Sequence, residues 1–371
     1  MHLFALLTML LIAPADVYAP TCADSDYVTV FKKGDIGCHT FRIPAIIAAK
    51  NGDLLAFAEG RRGGSGDSGD IDIVLRRSSD HGATWSKHEI IWDDGANTCG
   101  NPCPVLDHES GTIHLLLTRN AGVDRESQII DQTSTSTRTV WVASSTDHGV
   151  NWSDPVDITA SVKKPNWTWY ATGPGNGIQI KSGPHAGRLV IPCDHIEAGT
   201  KKYFSHAIVS DDHGASWRIA GRTPVDQLNE CAVAELANGT LLLNMRNYDR
   251  SKRTRALSRS SDGGETWSTV EHHPELPEPI CQASMIALHD HTLIFSNPAD
   301  AAARIRMTIK RSDDEGKTWS TVKILHSGPS AYSSLVELPE STVGCLYECG
   351  EDNPYEEIRF TRCTISSPKK N

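Results

Sequence analysis

A Gly/Ser-rich segment early in the chain carries three aspartates that could act as acids. Asp67 lies among the four glycines of residues 63–69, where a flexible loop can bring a carboxyl group over a bound substrate. Asp70 and Asp72 are the alternatives, but Asp72 falls in the strand-like run 71–75, where a side chain moves little. Asp67 is therefore the candidate general acid, and an ordinary solvated loop acid is the other reading.

An eight-residue pattern, called the Asp box below, recurs five times along the chain. It indicates the structural elements that hold candidate groups such as Asp67 in place. It reads S-x-D-x-G-x-(T/S/N)-W and begins at Ser78, Ser145, Ser210, Ser260 and Ser312. The Ser and Asp side chains can bond to backbone N–H groups a few residues on. The Gly permits a positive φ, and the closing Trp is a large apolar anchor. We therefore expect structural hairpin turns. Calcium loops are a poor alternative, because the liganding carboxylates are too few.

The spacing of the Asp boxes indicates a repeat architecture. Their aspartates Asp80, Asp147, Asp212, Asp262 and Asp314 lie 67, 65, 50 and 52 residues apart, a period that signals a propeller or solenoid. Each copy follows a strand-like run, and helical periodicity is scarce. Several short strands per unit give a four-stranded antiparallel blade, and radial closure hides the sheet edges. We predict an all-β, six-bladed β-propeller in which residues 27–31 pair with the C-terminal strand.

The composition fits a globular domain. The chain has 371 residues, of which 39% are apolar, enough for a sizeable core. Lys plus Arg number 36 against 46 Asp plus Glu, a formal net charge of −10, which argues against non-specific nucleic-acid binding. An anionic substrate stays possible, because a local arginine cluster can override the global sign.

The N-terminus predicts export. Residues 3–13 form an apolar run too short to span a bilayer, although no Lys or Arg follows Met1. Ala13-Pro14-Ala15 fits a small-x-small cleavage site, and Val17-Tyr18-Ala19 is a second candidate. We expect a signal peptide in residues 1–19, cleaved after Ala15 or Ala19, and a single domain in residues 20–371 without a membrane span. The mature protein is then extracellular, periplasmic or in the lysosomal lumen.

Ten cysteines are compatible with an oxidising compartment. Cys99 and Cys103 are four residues apart, as are Cys345 and Cys349. We expect a disulfide between Cys99 and Cys103. A zinc site is the alternative for that loop, but no close Cys/His pair with ligand spacing follows. No metal or other cofactor is therefore expected.

The segment Phe41-Arg42-Ile43-Pro44 resembles the arginine signature of the bacterial and animal sialidase family. Together with the five Asp boxes the match is strong, and it covers nearly the whole chain after the leader. The resemblance implies a six-bladed propeller and a glycoside hydrolase, an exo-α-sialidase. Such an enzyme removes terminal sialic acid from glycoproteins, glycolipids or oligosaccharides with retained configuration, and its partner is a sialylated glycan.

The resemblance places three arginines around the sugar carboxylate. Arg42 matches the first, Arg246 the second and Arg304 the third, with Arg306 two residues on if the strand register differs. A guanidinium group presents a planar fork that binds a carboxylate through two hydrogen bonds and stays charged at any working pH. Glu348 matches the carboxylate that holds Arg42 in one rotamer.

The resemblance also assigns the reacting groups. Asp67, nine residues before Arg76, matches the acid/base, Tyr332 the nucleophile and Glu230 its base. A phenol has a reference pKa near 10, so a neighbouring carboxylate must take its proton. The reacting carbon of sialic acid bears a carboxylate, and a neutral attacking group avoids the repulsion that a free carboxylate would meet. Tyr332 and Glu348 are sixteen residues apart, in agreement with the family.

Fewer residues can be assigned to contacts with the rest of the sugar. Arg61 resembles a further pocket arginine. Asn101 aligns with a position where some relatives have an Asp that contacts a ring hydroxyl, so its role departs from the pattern. Trp169, Tyr170 and residues 172–177 form either a pocket wall or part of the core.

Two other functions stay open. A non-catalytic Asp-box propeller could bind glycans or proteins, although such a module has no need for Tyr332 and Glu230. A trans-sialidase could use the same scaffold, with the covalent intermediate intercepted by another sugar. An intramolecular trans-sialidase would use the intermediate's own 7-hydroxyl.

Overall fold

A computed structural model describes residues 27–365. The predicted signal peptide, with both candidate cleavage sites, lies outside the described residues. Within them the chain consists almost entirely of antiparallel strands joined by turns. No helix in this part of the chain has the length and apolar character needed to cross a membrane.

The strands, in chain order, are β1 (Tyr27–Lys32), β2 (Thr40–Ala48), β3 (Leu54–Arg61), β4 (Ile71–Ser78), β5 (Glu89–Trp92), β6 (Thr98–Leu106), β7 (Ile113–Asn120), β8 (Thr139–Ser145), β9 (Val156–Asp157), β10 (Trp167–Thr172), β11 (Ile178–Gln179), β12 (Leu189–Glu197), β13 (Tyr203–Ser210), β14 (Arg218–Arg222), β15 (Leu228–Glu235), β16 (Leu241–Asn247), β17 (Thr254–Ser260), β18 (Glu271–Pro277), β19 (Ser284–Ala287), β20 (Leu293–Pro298), β21 (Ile305–Ser312), β22 (Ser320–Leu338), β23 (Thr342–Cys349) and β24 (Glu357–Thr364). Two short α-helices lie in the connections, α1 (Glu126–Ile130) and α2 (Thr159–Val162), together with two single-turn 3-10 helices, Asp35–Gly37 and Gly183–His185.

Hydrogen bonds group these strands into four sheets. One contains β2 to β9, the next β10 to β14, the third β15 to β18, and the last runs from β19 to β24 and ends on β1. Neighbours along each sheet are mostly consecutive in sequence, as in a chain of hairpins. The long strand β22 pairs with β21 through its first half and with β23 through its second.

The first strands of successive units meet in a closed circuit. Contacts run from β2 to β6, β11, β15, β19, β22 and back to β2, so these strands form a closed ring. At the outer edge β1 pairs antiparallel with β24, with Tyr27 opposite Thr361, which confirms the predicted pairing of the terminal strands. Phe31 and Phe360 share one buried cluster there. The count of six blades stays a prediction.

All five Asp boxes make the same turn. In the first copy, Ser78 Oγ donates to Asp80 Oδ1 over 2.7 Å and accepts from the Gly82 N–H over 2.8 Å. Asp80 also accepts from the N–H and the hydroxyl of Thr84, over 2.8 and 2.6 Å. The other four copies repeat these bonds, with the side-chain amide of Asn151 in place of the hydroxyl in the second copy. The predicted hairpin turns are confirmed.

Each Asp box also packs one unit onto its neighbour. Gly82 has φ +84°, and a Cβ there would lie 2.0 Å from Cε1 of Phe360, so only glycine fits. The Trp85 ring meets Phe360 edge-on at 5.4 Å between centroids. Because Phe360 belongs to β24 in another sheet, the box joins the first and last units of the chain.

The expected disulfide between Cys99 and Cys103 is wrong, because both are free thiols. The β6 register opposite β7 shifts between Gly100 and Cys103, and Asn101 has φ 53° there. This bulge sends the two side chains into different apolar clusters. Burial raises the pKa of both thiols.

Candidate active site

A polar pocket of about 270 Å³ opens where the first strands of the units converge. Eight of the nine residues that the sequence analysis assigned to a site line it, namely Arg42, Arg61, Asp67, Asn101, Glu230, Arg246, Arg304 and Tyr332. The ninth, Glu348, lies directly behind Arg42 and is fully buried. The fold therefore brings together side chains from strands more than 300 residues apart in sequence.

Glu348 organises one wall of the pocket. Arg42 donates to it from Nε to Oε1 over 3.1 Å and from Nη2 to Oε2 over 3.3 Å. The backbone N–H groups of Ile43 and Tyr332 donate to the same carboxylate over 2.8 and 3.0 Å. Ile43 has φ 58° at a bulge in β2, and Pro44 has no N–H for the ladder. This local geometry turns Arg42 towards Glu348.

Tyr332, Glu230 and Arg246 form a tight triad at the bottom of the pocket. Tyr332 Oη donates to Glu230 Oε1 over 2.6 Å. Arg246 Nη1 donates to Glu230 Oε2 over 2.6 Å and to Tyr332 Oη over 3.1 Å. Burial and the Glu230 charge hold the pKa of Tyr332 well above its usual value, and nearby arginines only partly offset this. The Tyr332 phenol is therefore protonated and hydrogen-bonded to a carboxylate.

The structure distinguishes Arg304 from Arg306. Arg304 lines the pocket, and its Cζ lies 5.8 Å from the centre of the Tyr332 ring, compared with 5.0 Å for Arg42. Arg306 is exposed and has φ 64°, so β21 is irregular at that residue. Three guanidinium groups, those of Arg42, Arg246 and Arg304, thus surround Tyr332 and can bind a carboxylate beside it.

Asp67 reaches over this cluster from the loop after β3. Its Oδ1 lies 2.8 Å from Arg61 Nη1 and 3.6 Å from Arg42 Nη1, and 55% of its side chain is exposed. Burial raises the pKa of Asp67, but the charges of Arg61 and Arg42 outweigh it, so the net pKa is lowered. Arg61 is itself held by Glu59, with Nη2 2.5 Å from Oε2.

The competing aspartates lie outside the pocket. Asp72 is buried in β4 and pairs with Arg62 over 2.7 Å. Asp70 is 47% exposed and lies 3.9 Å from Arg62. Of the three carboxylates in this segment, only that of Asp67 faces the arginine cluster.

The wall opposite the arginine cluster contains Asn101 and Trp169. Asn101 Oδ1 accepts hydrogen bonds from Arg138 Nη2 and, over 2.9 Å, from Thr118 Oγ1. Arg138 Cζ lies 4.1 Å above the Trp169 ring. The sequence left Trp169 and Tyr170 as either pocket wall or core. Trp169 lines the pocket. Tyr170 is fully buried in the core.

Several polar residues of the pocket were not assigned from the sequence. They are Glu59, Ser65, Glu126, Arg138, Asp194, Asn229, Tyr248 and Tyr355. Burial raises the pKa of Glu126 and of Asp194, which favours neutral carboxyl groups there. Glu59 and Asn229 adjoin assigned residues in sequence and could have been found from that proximity. Glu126, Asp194 and Tyr355 carry no such local signal.

Comparisons with known proteins show which family the chain belongs to. Residues 52–345 match the family model described as a BNR repeat-like domain. The chain is 35% identical to a sialidase of Micromonospora viridifaciens, covering 88% of this chain and 52% of that protein. It is 30% identical to Sialidase-2 of Mus musculus, covering 93% and 97% respectively. The chain therefore spans about half the length of the bacterial relative and nearly all of the mouse one.

A solved structure, the Hadza microbial sialidase Hz136, superposes with a TM-score of 0.82 at 32% identity. The match covers 91% of this chain and 68% of that chain. Its β-propeller architecture confirms the predicted fold class. With a family model over residues 52–345 and a 30% identical relative covered almost end to end, the chain belongs to the sialidase family.

Proposed function

We propose that the protein is an exo-α-sialidase, a glycoside hydrolase that releases terminal sialic acid from glycans. The observation that carries the proposal is the hydrogen bond of 2.6 Å from Tyr332 to Glu230, set among three guanidinium groups. A carboxylate bound by those groups would place the carbon that bears it next to the phenol oxygen. A pocket of about 270 Å³ suits one terminal sugar better than an internal stretch of polysaccharide.

The proposed reaction retains the configuration of the sugar. Tyr332 Oη attacks the anomeric carbon while Glu230 takes the phenol proton. The bond from that carbon to the glycosidic oxygen breaks, and Asp67 gives its proton to the leaving oxygen. In the second step Asp67 takes a proton from water, the water oxygen bonds to the same carbon, and the tyrosyl bond breaks. Glu230 then returns the proton to Tyr332.

Substrate binding would prepare Asp67 for the first step. The charges of Arg61 and Arg42 keep the pKa of Asp67 low, which disfavours a proton donor. A bound carboxylate neutralises part of the Arg42 charge and excludes water, and both effects raise the pKa of Asp67. The acid thus acquires its proton when the sugar is in place.

Covalent trapping tests the nucleophile. A sialosyl fluoride with a second fluorine beside the anomeric carbon should leave a stable adduct on Tyr332, located by peptide mass spectrometry. Tyr332→Phe should leave the protein unlabelled, whereas Tyr347→Phe, which alters a buried tyrosine outside the pocket, should be labelled like wild type. An adduct on another residue, or a first product of inverted configuration, would contradict the mechanism.

Identifying the products released from an unmodified sialoside separates hydrolysis from transfer. Free sialic acid indicates hydrolysis, and a new sialoside indicates trans-sialidase activity. An internal anhydro sugar indicates capture by the 7-hydroxyl of the intermediate. We propose hydrolysis, which free sialic acid as the main product would support.

We also propose that the protein is exported through the apolar run in residues 3–13. Expression of the full chain in its own cells, followed by N-terminal sequencing of the extracellular fraction, tests this. A mature chain that begins at Asp16 or Pro20 would support the proposal. An uncleaved chain that stays in the cytosol would contradict it.

A further inference from the structure

Tyr355 lies at the edge of the arginine cluster and contacts two of its members. Its hydroxyl accepts a hydrogen bond of 3.0 Å from Arg304 Nη1. Arg42 Cζ lies 4.1 Å from the centre of its ring, within the range of a cation–π contact. One side chain therefore touches two of the three groups that would bind the substrate carboxylate.

The turn before β24 holds Tyr355 in place. The Glu356 carboxylate accepts hydrogen bonds from the N–H groups of Glu351, Asp352 and Asn353, over 2.9 to 3.3 Å. The Tyr355 N–H donates to Asn353 Oδ1 over 3.0 Å. The side chain is half-buried and packs against the cluster that contains Tyr332. A turn tied in this way presents the phenol in a fixed position.

The three arginines differ in what orients them. Arg42 is paired with Glu348, and Arg246 is paired with Glu230. Arg304 has no acidic partner among residues 27–365, and its bonds go to the Tyr355 hydroxyl and to the carbonyl oxygen of Ile280, each over 3.0 Å. Two of the three positive charges are thus balanced by carboxylates, and the third is oriented by neutral groups.

We propose that Tyr355 is a positioning residue that orients Arg304 without neutralising it. This inference rests on the proposed function. An acid in its place would hold Arg304 equally well but would cancel the charge that attracts the sugar carboxylate. The neutral phenol leaves the positive charge of Arg304 unbalanced in the clamp, the name used here for the guanidinium groups of Arg42, Arg246 and Arg304. The ring of Tyr355 covers the face of Arg42. The expected consequence is selectivity for a carboxylate over an uncharged group at that position.

Calorimetric binding of a matched ligand pair tests the inference. The ligands are the planar dehydrated analogue of sialic acid and the same molecule with a carboxamide in place of its carboxylate. Tyr355→Phe should bind the acid about tenfold more weakly than wild type, equal to about 1.4 kcal/mol, and should bind the carboxamide equally well. Tyr355→Glu should lose roughly a hundredfold on the acid, because the new charge pairs with Arg304.

Kinetics and a control variant separate this role from a structural one. Because the clamp binds the carboxylate before and during reaction, Tyr355→Phe should raise KM about tenfold with kcat within about twofold of wild type. Tyr27→Phe is the control, because Tyr27 also contacts an arginine but lies on the outer strand β1. Its ring lies 3.9 Å from Arg359 Cζ. It should change neither value, and the melting temperatures of both Phe variants should equal that of wild type.

The outcomes distinguish the two proposals. An active wild type with a Tyr355→Phe variant that binds the acid normally would overturn the role of Tyr355 alone. Equal losses on acid and carboxamide would do the same, because they would indicate a general distortion of the pocket. A wild type that neither cleaves a sialoside nor binds the acid would overturn the proposed function, and this inference with it.

Discussion

At the scale of single residues, the buried charge of Glu348 must be balanced by neighbouring groups. Glu348 is fully buried, so its charge must be met inside the protein, and Arg42 together with two backbone N–H groups meets it. The same contacts fix the backbone of Tyr332. We therefore expect a change at Arg42 to affect substrate binding and the stability of the fold together.

Arg42→Ala should lower kcat/KM by roughly two to four orders of magnitude, on the order of 3–5 kcal/mol, as for breaking a buried ion pair. It should also lower the melting temperature, because Glu348 is left without its cation. The double variant Arg42→Ala with Glu348→Gln should recover the melting temperature but not kcat/KM. Sialoside kinetics and thermal denaturation measure both. A double variant that regained activity would argue against a direct role for Arg42.

Asp67→Ala should lower the rate on natural glycosides roughly a hundredfold or more, the usual contribution of a general acid. Substrates with very acidic leaving groups need no proton, so their rate should change little. Asp70→Ala, an exposed change on the same loop, is the matched control and should leave both rates unchanged. If Asp67→Ala slowed both classes of substrate equally, Asp67 would not be the acid.

At the scale of elements, the Asp boxes contribute stability and stand apart from the chemistry. None of the five box aspartates lines the pocket. Their side chains bond within their own eight residues, and their tryptophans pack on neighbouring units. We therefore expect stability and catalysis to depend on different residues, so that a substitution can change one without the other.

Asp262→Ala removes bonds to Ser260 and Thr266 and should cost about 1–2 kcal/mol of unfolding free energy, as for a lost helix cap. Trp267→Ala should cost more, about 3–5 kcal/mol, because the ring is 8% exposed and its Nε1 donates to the Gly221 carbonyl. The folded fraction should keep the KM of wild type. Asp154→Ala, an exposed change outside the boxes, is the control and should change neither the unfolding free energy nor KM. Loss of turnover at unchanged stability would place the boxes in the site.

The boxes should also weaken in acid. Hydrogen bonds from Thr84 and Ser78 lower the pKa of Asp80 to about 2 in the folded protein, compared with about 3.9 for an unfolded chain. The Asp80 contribution is therefore complete above about pH 4 and is lost as the pH falls through about 2. Urea unfolding at several pH values should show wild type and Asp80→Ala converging between pH 4 and 2. A difference that stays constant over that range would contradict the assignment.

At the scale of the whole molecule, the terminal strands complete the outer sheet edge. β1 pairs with β24, and Phe31 of β1 is fully buried. Integrity of the fold therefore depends on a strand that is remote from the pocket.

Phe31→Ala should cost about 3–5 kcal/mol, the usual loss for a buried aromatic side chain. Lys32→Ala on the same strand removes only an exposed side chain whose Nζ lies 4.0 Å from Glu357, and it should cost little. Thermal denaturation compares the two variants, and KM measured well below the melting point should equal that of wild type in both. Equal stability of the two variants would show that β1 is dispensable.

The sequence by itself determined the features whose interactions are local or whose motif is specific. An Asp box makes its side-chain bonds within eight residues, so its turn could be predicted without knowing the rest of the chain. The all-β class followed from the repeated strands. Arg42 and Tyr332 could be assigned because their surrounding residues match a family pattern.

Only the tertiary structure decided the features that depend on backbone irregularities or on distant contacts. The bulge at Asn101 separates Cys99 from Cys103, and a positive φ at Arg306 leaves Arg304 as the third arginine of the pocket. Tyr355 reaches Arg304 across 51 residues of sequence. Such contacts form when separate sheets converge on one pocket, and no local pattern encodes that convergence, because it depends on how the units pack against each other.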